Sequence, residues 1–360
     1  MTEFTFNRLA QAGYSIRPAS LDDIEGSVEM FNICSKAMIG APEFTVERYR
    51  NEWQVPDFDL QRDTRLVIAP SGRIIGRIEV WDVHELPVHP WIWGRVHPEW
   101  EGKGIGTAMM GWALERAREA IPRVPEGVRV AARAGTVNTY SPAKELLQNV
   151  GMETIRYGWD MLIDLTEEPP APLWPEGISV RNIQHPEDTE AVYRAKDETF
   201  RDHWGYVETP FEEGFKQWKH YVFEIRKPDP ALWFLAMDGD DIAGMVSCRA
   251  ESDDDADKGW VSVLGVRRPW RRRGLGLALL RHVFGEFYRR GKPRVGLGVD
   301  SNNLSGATKL YKRRACIYSE SMSPARSNCV PERNSRRSKR AAVCNSTFWW
   351  QGRSLAVCLL

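Results

Sequence analysis

Residues 260–288 run WVSVLGVRRPWRRRGLGLALLRHVFGEFY, and the architecture of the chain follows from them. It divides into a β-branched run, a basic turn with glycines at 274 and 276, and an apolar run at helical spacing. In the last part Leu275, Ala278, Leu279, Val283 and Phe287 share one helical face, the stripe of a helix that buries one side. Strand, turn and helix in that order have a chemical use. The first turn of a helix holds N–H groups without acceptors at the positive end of the dipole, which suits a phosphate. Gly274 and Gly276 let the backbone approach such a ligand because neither has a Cβ. Arg271, Arg272 and Arg273 add donors for charge-assisted hydrogen bonds to phosphate oxygens.

The pattern occurs twice. VHPEWEGKGIGTAMM (96–110) aligns without gaps to VRRPWRRRGLGLALL (266–280), matching Val, Trp, Gly, Gly and Ala at an offset of 170. Here the stripe is Ile105, Ala108, Met109, Trp112 and Ala113. Each half opens alike, with YSIRPASLDDIEGSVEMF from Tyr14 and ISVRNIQHPEDTEAVYRA from Ile178, a short strand followed by a helix. Between the halves TEEPPAPLWPEG (166–177) is rich in proline and acids and reads as a linker. The expected domains are therefore 14–165 and 178–315, near the roughly 150 residues a single core organises. Strands are expected near 14–18, 65–70, 73–82, 90–96, 127–132 and 153–165, with a strand at 293–300 and a helix at 303–314 in the second half. This mixture predicts an α/β (α+β) sheet domain, built twice.

Lys plus Arg and Asp plus Glu both number 49, so no overall field draws nucleic acid or an acidic membrane. Residues 316–360 hold seven of the basic residues and two acids, a basic tail on a mildly acidic body. Four of the six cysteines (Cys316, Cys329, Cys344, Cys358) crowd into that tail. With only Cys34 and Cys248 elsewhere, the body carries no disulfide framework, which points to a reducing, cytoplasmic setting. The N-terminus lacks the basic start and apolar run of a signal peptide, and no apolar stretch reaches membrane-span length. No C-x-x-C pair occurs, and His84 and His89 have no third ligand at suitable spacing, so no metal is expected. A P-loop is excluded because GxxxxGK followed by Ser or Thr is absent. A Rossmann turn should follow the first strand of its domain, and these turns come late.

Both halves resemble GCN5-related N-acetyltransferase (GNAT) domains. In that family a Q/R-x-x-G-x-G/A turn holds the pyrophosphate of acetyl-CoA, and Arg271 to Gly276 match it at each fixed position. A later signature, Asn followed by a helix bearing Tyr, is similar to NNLSGATKLYKR with Asn303 and Tyr311. The tandem arrangement, with FRDHWG from Phe200, resembles mycothiol synthase-like proteins. The resemblance implies two tandem GNAT domains, each a mixed, mostly antiparallel sheet flanked by helices. It implies acetyl transfer from acetyl-CoA, a co-substrate, to a primary amine of a small molecule, by a monomer or homodimer. In the second half the implied cofactor contacts are Leu264, Val266, Arg271, Arg272, Arg273, Gly274, Leu275, Gly276, Ala278 and Asn303, and Tyr311 is the implied acid for the departing thiolate. In the first half they are Val96, Lys103, Gly104 and Gly106.

The first half departs from the pattern: Glu101 replaces the expected Gln or Arg, and Leu147 stands where the second half has Tyr311. The first domain is therefore expected to be non-catalytic. The competing function is an acyl-CoA-binding or regulatory module without turnover. Glu198, His203 and Glu251 are candidates for a base, and the acceptor pocket is expected from segment 186–226, with Trp204, Tyr206, Phe211, Phe215, Trp218 and Tyr221. After residue 315 neither strand nor helix periodicity appears, so the tail 316–360 reads as a frameshifted or disordered end.

Overall fold

The computed structural model describes residues 2–203, 206–300, 326–331 and 357–358. The chain forms two compact units that divide between Tyr157 and Gly158. In the first, α1 (Thr2–Gln11), β1 (Ser15–Arg17), α2 (Ile24–Ile39), α3 (Val46–Glu52) and α4 (Leu60–Asp63) precede β2 (Thr64–Ile68), β3 (Ile74–Trp81) and β4 (Trp91–Val96). Then come α5 (Ile105–Arg118), β5 (Arg133–Val137), α6 (Ser141–Asn149) and the start of β6 (Met152–Asp164). The second unit runs through β7 (Ile178–Asn182), α7 (Thr189–Phe200), α8 (Phe211–Lys219), a π-helical turn (His220–Arg226), β8 (Trp233–Asp238), β9 (Asp241–Arg249) and β10 (Lys258–Val266). It continues with α9 (Leu275–Arg289) and β11 (Arg294–Asp300).

Each unit is a mixed, mostly antiparallel sheet. In the first the order is β1-β2-β3-β4-β5, with only β4 and β5 parallel. In the second it is β7-β8-β9-β10-β11, with β10 and β11 parallel. The parallel pairs part early. β4 meets β5 only at Trp91 and Ile92, and β10 meets β11 only from Lys258 to Val261.

The predicted helical stripes are the cores. Leu275, Ala278, Leu279, Val283 and Phe287 are at most 1% exposed and pack on Phe234, Ala236 and Val246. Alternation along β8 sends Trp233, Leu235 and Met237 to the opposite face, under α7 and α8. In the first unit Ile105, Ala108, Met109 and Ala113 pack on Ile75, Ile78 and Ile92. The same helix is pinned by a buried charge cluster, since Arg116 donates to Asp63 (2.6 and 2.9 Å) and to Asp82 (2.9 and 3.0 Å).

One expected strand is shifted, and two further features stand beside the expected domains. The strand expected at 127–132 is β5, at Arg133–Val137, because the alternating GVRVAARAGTV run continues past 132 and does not fix where pairing starts. The boundary falls inside β6 rather than in the proline-rich linker, because Gly158–Asp164 pairs residue by residue with Arg294–Asp300 of the second unit. The tail contributes two strands: β12 (Arg326–Pro331) pairs antiparallel with β5, and β13 (Val357–Cys358) pairs parallel with Leu264 and Gly265 of β10. The edges of β5 and β10 carry N–H and C=O groups that any backbone can satisfy, so this pairing needs no side-chain pattern. The expected helix at 303–314, with Asn303 and Tyr311, lies outside the described residues.

Candidate functional site

The two glycine turns share one backbone. Gly104 sits at φ 79°, ψ −1° before α5, and Gly274 at φ 84°, ψ −1° before α9, a left-handed conformation that glycine adopts without the strain of a Cβ. The residues ahead match as well. Trp100 and Trp270 N–H groups donate to the carbonyls of His97 and Arg267, and those of Glu101 and Arg271 to Pro98 and Arg268. The helical ladders begin with Ala108 N–H to Gly104 and Ala278 N–H to Gly274, so the amides just before them point out of the helix start. A Cβ placed on Gly104 or Gly274 would meet nothing within 4 Å, so the space over both turns is open. Leu275, Gly276 and Ala278 are buried, and Arg272 and Arg273 are exposed. Lys103 is exposed beside Trp100, and Gly106 lies against Val96 and Leu146.

Side chains at the first motif position turn away from that space. Arg271 donates from Nε to Val266 O (2.9 Å), from Nη2 to Thr199 O (3.1 Å) and from Nη1 to Asp202 (2.9 Å). It ties the end of β10 to the end of α7. Hydrogen bonds from Arg268 and Arg271 bring the Asp202 carboxyl down to about 2. Glu101, where the family pattern has Gln or Arg, accepts a short hydrogen bond from the Tyr140 hydroxyl. Burial and that bond raise the Tyr140 phenol above its usual value. The carbonyl of Val96, the counterpart of Val266, is met by the Cys34 thiol at 3.3 Å. Side chains of Leu264 and Val266 are in the core, so these two residues have only backbone to offer, and the Leu264 edge is paired with β13.

Where the units differ is the sheet face opposite the stripe helix. β3 and β4 pair without a break, whereas β9 and β10 slip between Val261 and Val263, leaving Ser262 as an extra residue without a partner on β9. Such a bulge re-aims backbone and side chain locally. Over it opens a cavity of about 70 Å³ whose walls include Lys196, Trp218, Tyr221, Arg226, Ser247 and Ser262. Met245, Ser247 and Val263 also line it, and the matching register in the first unit holds Arg77, Glu79 and Trp93. There the space is filled. Arg77, fully buried, pairs with Glu79 and lies over the rings of Tyr49 (4.4 Å) and Trp53 (4.2 Å). Burial raises the Glu79 carboxyl against the pull of Arg77.

Of the expected pocket aromatics, Trp218 and Tyr221 line the cavity. Phe211 and Phe215 pack against the buried cluster around Tyr193, Tyr206 bonds Asp197, and Trp204 lies outside the described residues. None of the candidate bases lines it: Glu198 is held by Arg267 at 2.7 Å, His203 packs on Phe200, and Glu251 is exposed near Lys292. Sequence reasoning missed Lys196 and Arg226. Desolvation lowers the Lys196 ammonium to about 8. Among the described residues no group of three or more His, Cys, Asp or Glu is placed to hold a metal, and no helix is long and apolar enough to cross a membrane.

The chain is similar to known proteins. The profile of the Acetyltransferase (GNAT) family matches residues 30–141 and 189–315, one stretch in each unit. The mycothiol acetyltransferase of Streptomyces bingchenggensis is 31% identical over 265 residues, covering 70% of this chain and 77% of that protein. That of Streptomyces scabiei is 31% identical over 243 residues, covering 66% and 68%. The crystal structure of a GCN5-related N-acetyltransferase from Sphaerobacter thermophilus is 32% identical with a TM-score of 0.68, covering 88% of this chain and 94% of that one. A tandem GNAT protein from the clavulanic acid biosynthesis pathway, 16% identical with a TM-score of 0.61 and covering 88% and 97%, shares the fold.

Proposed function

Because the chain belongs to the Acetyltransferase (GNAT) family and so transfers an acetyl group from acetyl-CoA to an amine, we propose that its second unit performs the reaction and its first does not. The observation that carries this is the bulge at Ser262 with its cavity, set against the unbroken and filled register around Arg77 and Trp93. A binding module without turnover is disfavoured by the same contrast, since binding alone needs no acceptor cavity.

The turn residues fit a diphosphate: amides precede the helical ladder, the space beyond Gly274 is open, and Arg272 and Arg273 reach solvent. Acetyl-CoA, when bound, supplies an acyl group activated as a thioester. Gly274 and the amides at the start of α9 hold the phosphates, and Arg271 keeps the turn in place from behind. The cavity over Ser262 takes a small amine, with unpaired backbone at the bulge orienting the reacting carbonyl. With no carboxylate in the cavity wall, turnover follows the free-base fraction of the amine. Tyr311 and Asn303 keep their implied roles as acid for the thiolate and cofactor contact. Val96, Lys103, Gly104 and Gly106 form a second cradle that binds without turnover. A cytoplasmic setting accords with Cys34 and Cys248, both free and buried.

Mixing the protein with acetyl-CoA and a panel of small amines, and following thiol release, tests the reading. Turnover that survives destruction of the second turn would overturn it.

A further inference from the structure

The wall of the second unit's cavity carries Lys196, Arg226 and Arg249 and no Asp or Glu. These cations are not equally engaged. Arg249 is neutralised by Asp253 at 2.6 Å. Lys196 stands beside Asp197 on α7, and the Asp197 carboxylate is hydrogen-bonded by Tyr206. Arg226 donates from Nε to the Tyr221 hydroxyl at 2.8 Å, a neutral acceptor, and its Nη2 is buried with no hydrogen-bond partner among the described residues. The nearby Glu224 is taken by His220 at 2.6 Å.

A buried guanidinium N–H without an acceptor is costly, and at a cavity wall the acceptor can come from a ligand or a water. Arg226 closes the π-helical turn, an irregular helix form common at functional sites, and Lys227 follows it in a left-handed conformation (φ 44°) that non-glycine residues seldom adopt. Strain and irregularity are thus concentrated where the arginine enters the cavity wall. The same cavity is lined by Ser247 and Ser262, neutral groups at the bulge. The cavity of about 70 Å³ has room for on the order of five water molecules, enough to seat a small charged group.

Resting on the assignment of catalysis to the second unit, we propose that the acceptor is a small amine that also bears an anionic group, a carboxylate or a phosphate, received by Arg226 with Lys196 while the amine faces Ser262. The guanidinium fork suits either oxyanion, and the ammonium adds a point charge to it. Bound charge would satisfy the Nη2 donor and offset the desolvation of Lys196. The reaction itself is unchanged by this: the amine nitrogen forms the bond to the acetyl carbon, the carbon–sulfur bond breaks, and CoA leaves as its thiol.

The test is a set of matched amines differing only in charge: glycine against glycinamide, β-alanine against β-alaninamide, and O-phosphoethanolamine against ethanolamine. CoA release should favour the anionic member of at least one pair by 10- to 100-fold in kcat/KM, the range of a charge-assisted hydrogen bond. The first two pairs report a carboxylate, the third a phosphate. Arg226→Gln should erase the preference mainly through KM, and Arg226→Lys should restore part of it. Calorimetry with N-acetyl-β-alanine and O-phosphoethanolamine, in the absence of acetyl-CoA, gives a second readout, and acetyl-CoA affinity checks that the variants fold. Equal use of both members in every pair, or a preference untouched in Arg226→Gln, would overturn the inference and leave the transferase assignment standing. Anion binding that depends on Arg226 without CoA release from any amine would uphold the inference about the cavity and sink the assignment of catalysis to this unit.

Discussion

Gly104 and Gly274 provide a matched experiment within one chain. Both sit just ahead of a helix in the left-handed region, at φ 79° and 84°, and an added Cβ meets nothing within 4 Å at either. Alanine at each position therefore carries one cost in the free protein, the strain of a non-glycine residue there, about 1–2 kcal/mol. For units of this size that lowers Tm by a few degrees. The consequences for turnover should differ. At 274 the methyl group enters the space assigned to the diphosphate, and loss of one well-placed amide contact raises the KM for acetyl-CoA about tenfold or more. At 104 the same change should cost stability and weaken binding in the first cradle while leaving the KM of turnover unchanged. Thermal unfolding and steady-state kinetics on Gly104→Ala and Gly274→Ala, measured well below either Tm, separate the two. If Gly104→Ala raises the KM as much as Gly274→Ala, or if Gly274→Ala loses stability without losing affinity, the assignment of the second turn as the working site is wrong.

Arg116→Met removes the buried cation shared by Asp63 and Asp82 and leaves them to the half-exposed Arg62 and Arg123, so it should destabilise the first unit by up to about 3–5 kcal/mol in urea unfolding, whereas Arg118→Met, which removes an exposed pair with Glu115, should change it by less than about 1 kcal/mol. Tyr311→Phe should slow CoA release far more than it weakens acetyl-CoA binding, and equal loss of both would argue against an acid role. Binding of an anionic ligand should weaken as pH rises through about 8, where Lys196 loses its proton, and Lys196→Met should flatten that dependence. Lys196 shares the cavity wall with Tyr221 and Arg226 from the π-helical turn and with Cys248 and Arg249 from β9, while Asp197 beside it on α7 raises its pKa and its ammonium lies 5.5 Å from the Tyr193 ring centroid; burial raises the Cys248 thiol, which stays neutral across this range.

Strand, turn and stripe helix were legible in the residues because their determinants are local. A glycine at a left-handed position, an apolar period of 3.6 and a repeat at a fixed offset each constrain backbone geometry directly. What the motif fixed at Arg271 and Glu101 was that backbone, not the direction of the side chains, which depends on partners such as Thr199, Asp202 and Tyr140 far off in sequence. The cavity was hidden for a related reason. It arises from a one-residue slip between β9 and β10, and register is a property of the paired strands. A usable signal did exist, since matching Gly76 of β3 to Gly244 of β9, at an offset of 168 instead of 170, sets Arg77 and Glu79 against Met245 and Ser247, bulk and charge against smaller neutral groups. β12 and β13 could not be found from periodicity, because open edges of β5 and β10 recruit backbone whatever its side chains.

The long strand β6 carries a practical lesson for anyone who wishes to express the halves separately. Its residues 158–164 complete the second sheet along β11, although the chain reaches them before the proline-rich stretch that invites a cut. A gene divided at residue 166 would give an amino-terminal fragment trailing an orphan ribbon and a carboxyl-terminal fragment with a raw flank, and both would tend to self-associate. Scission ahead of Gly158 leaves the second half with its full complement of hydrogen bonds on that side, and is the cut from which an active fragment should be sought.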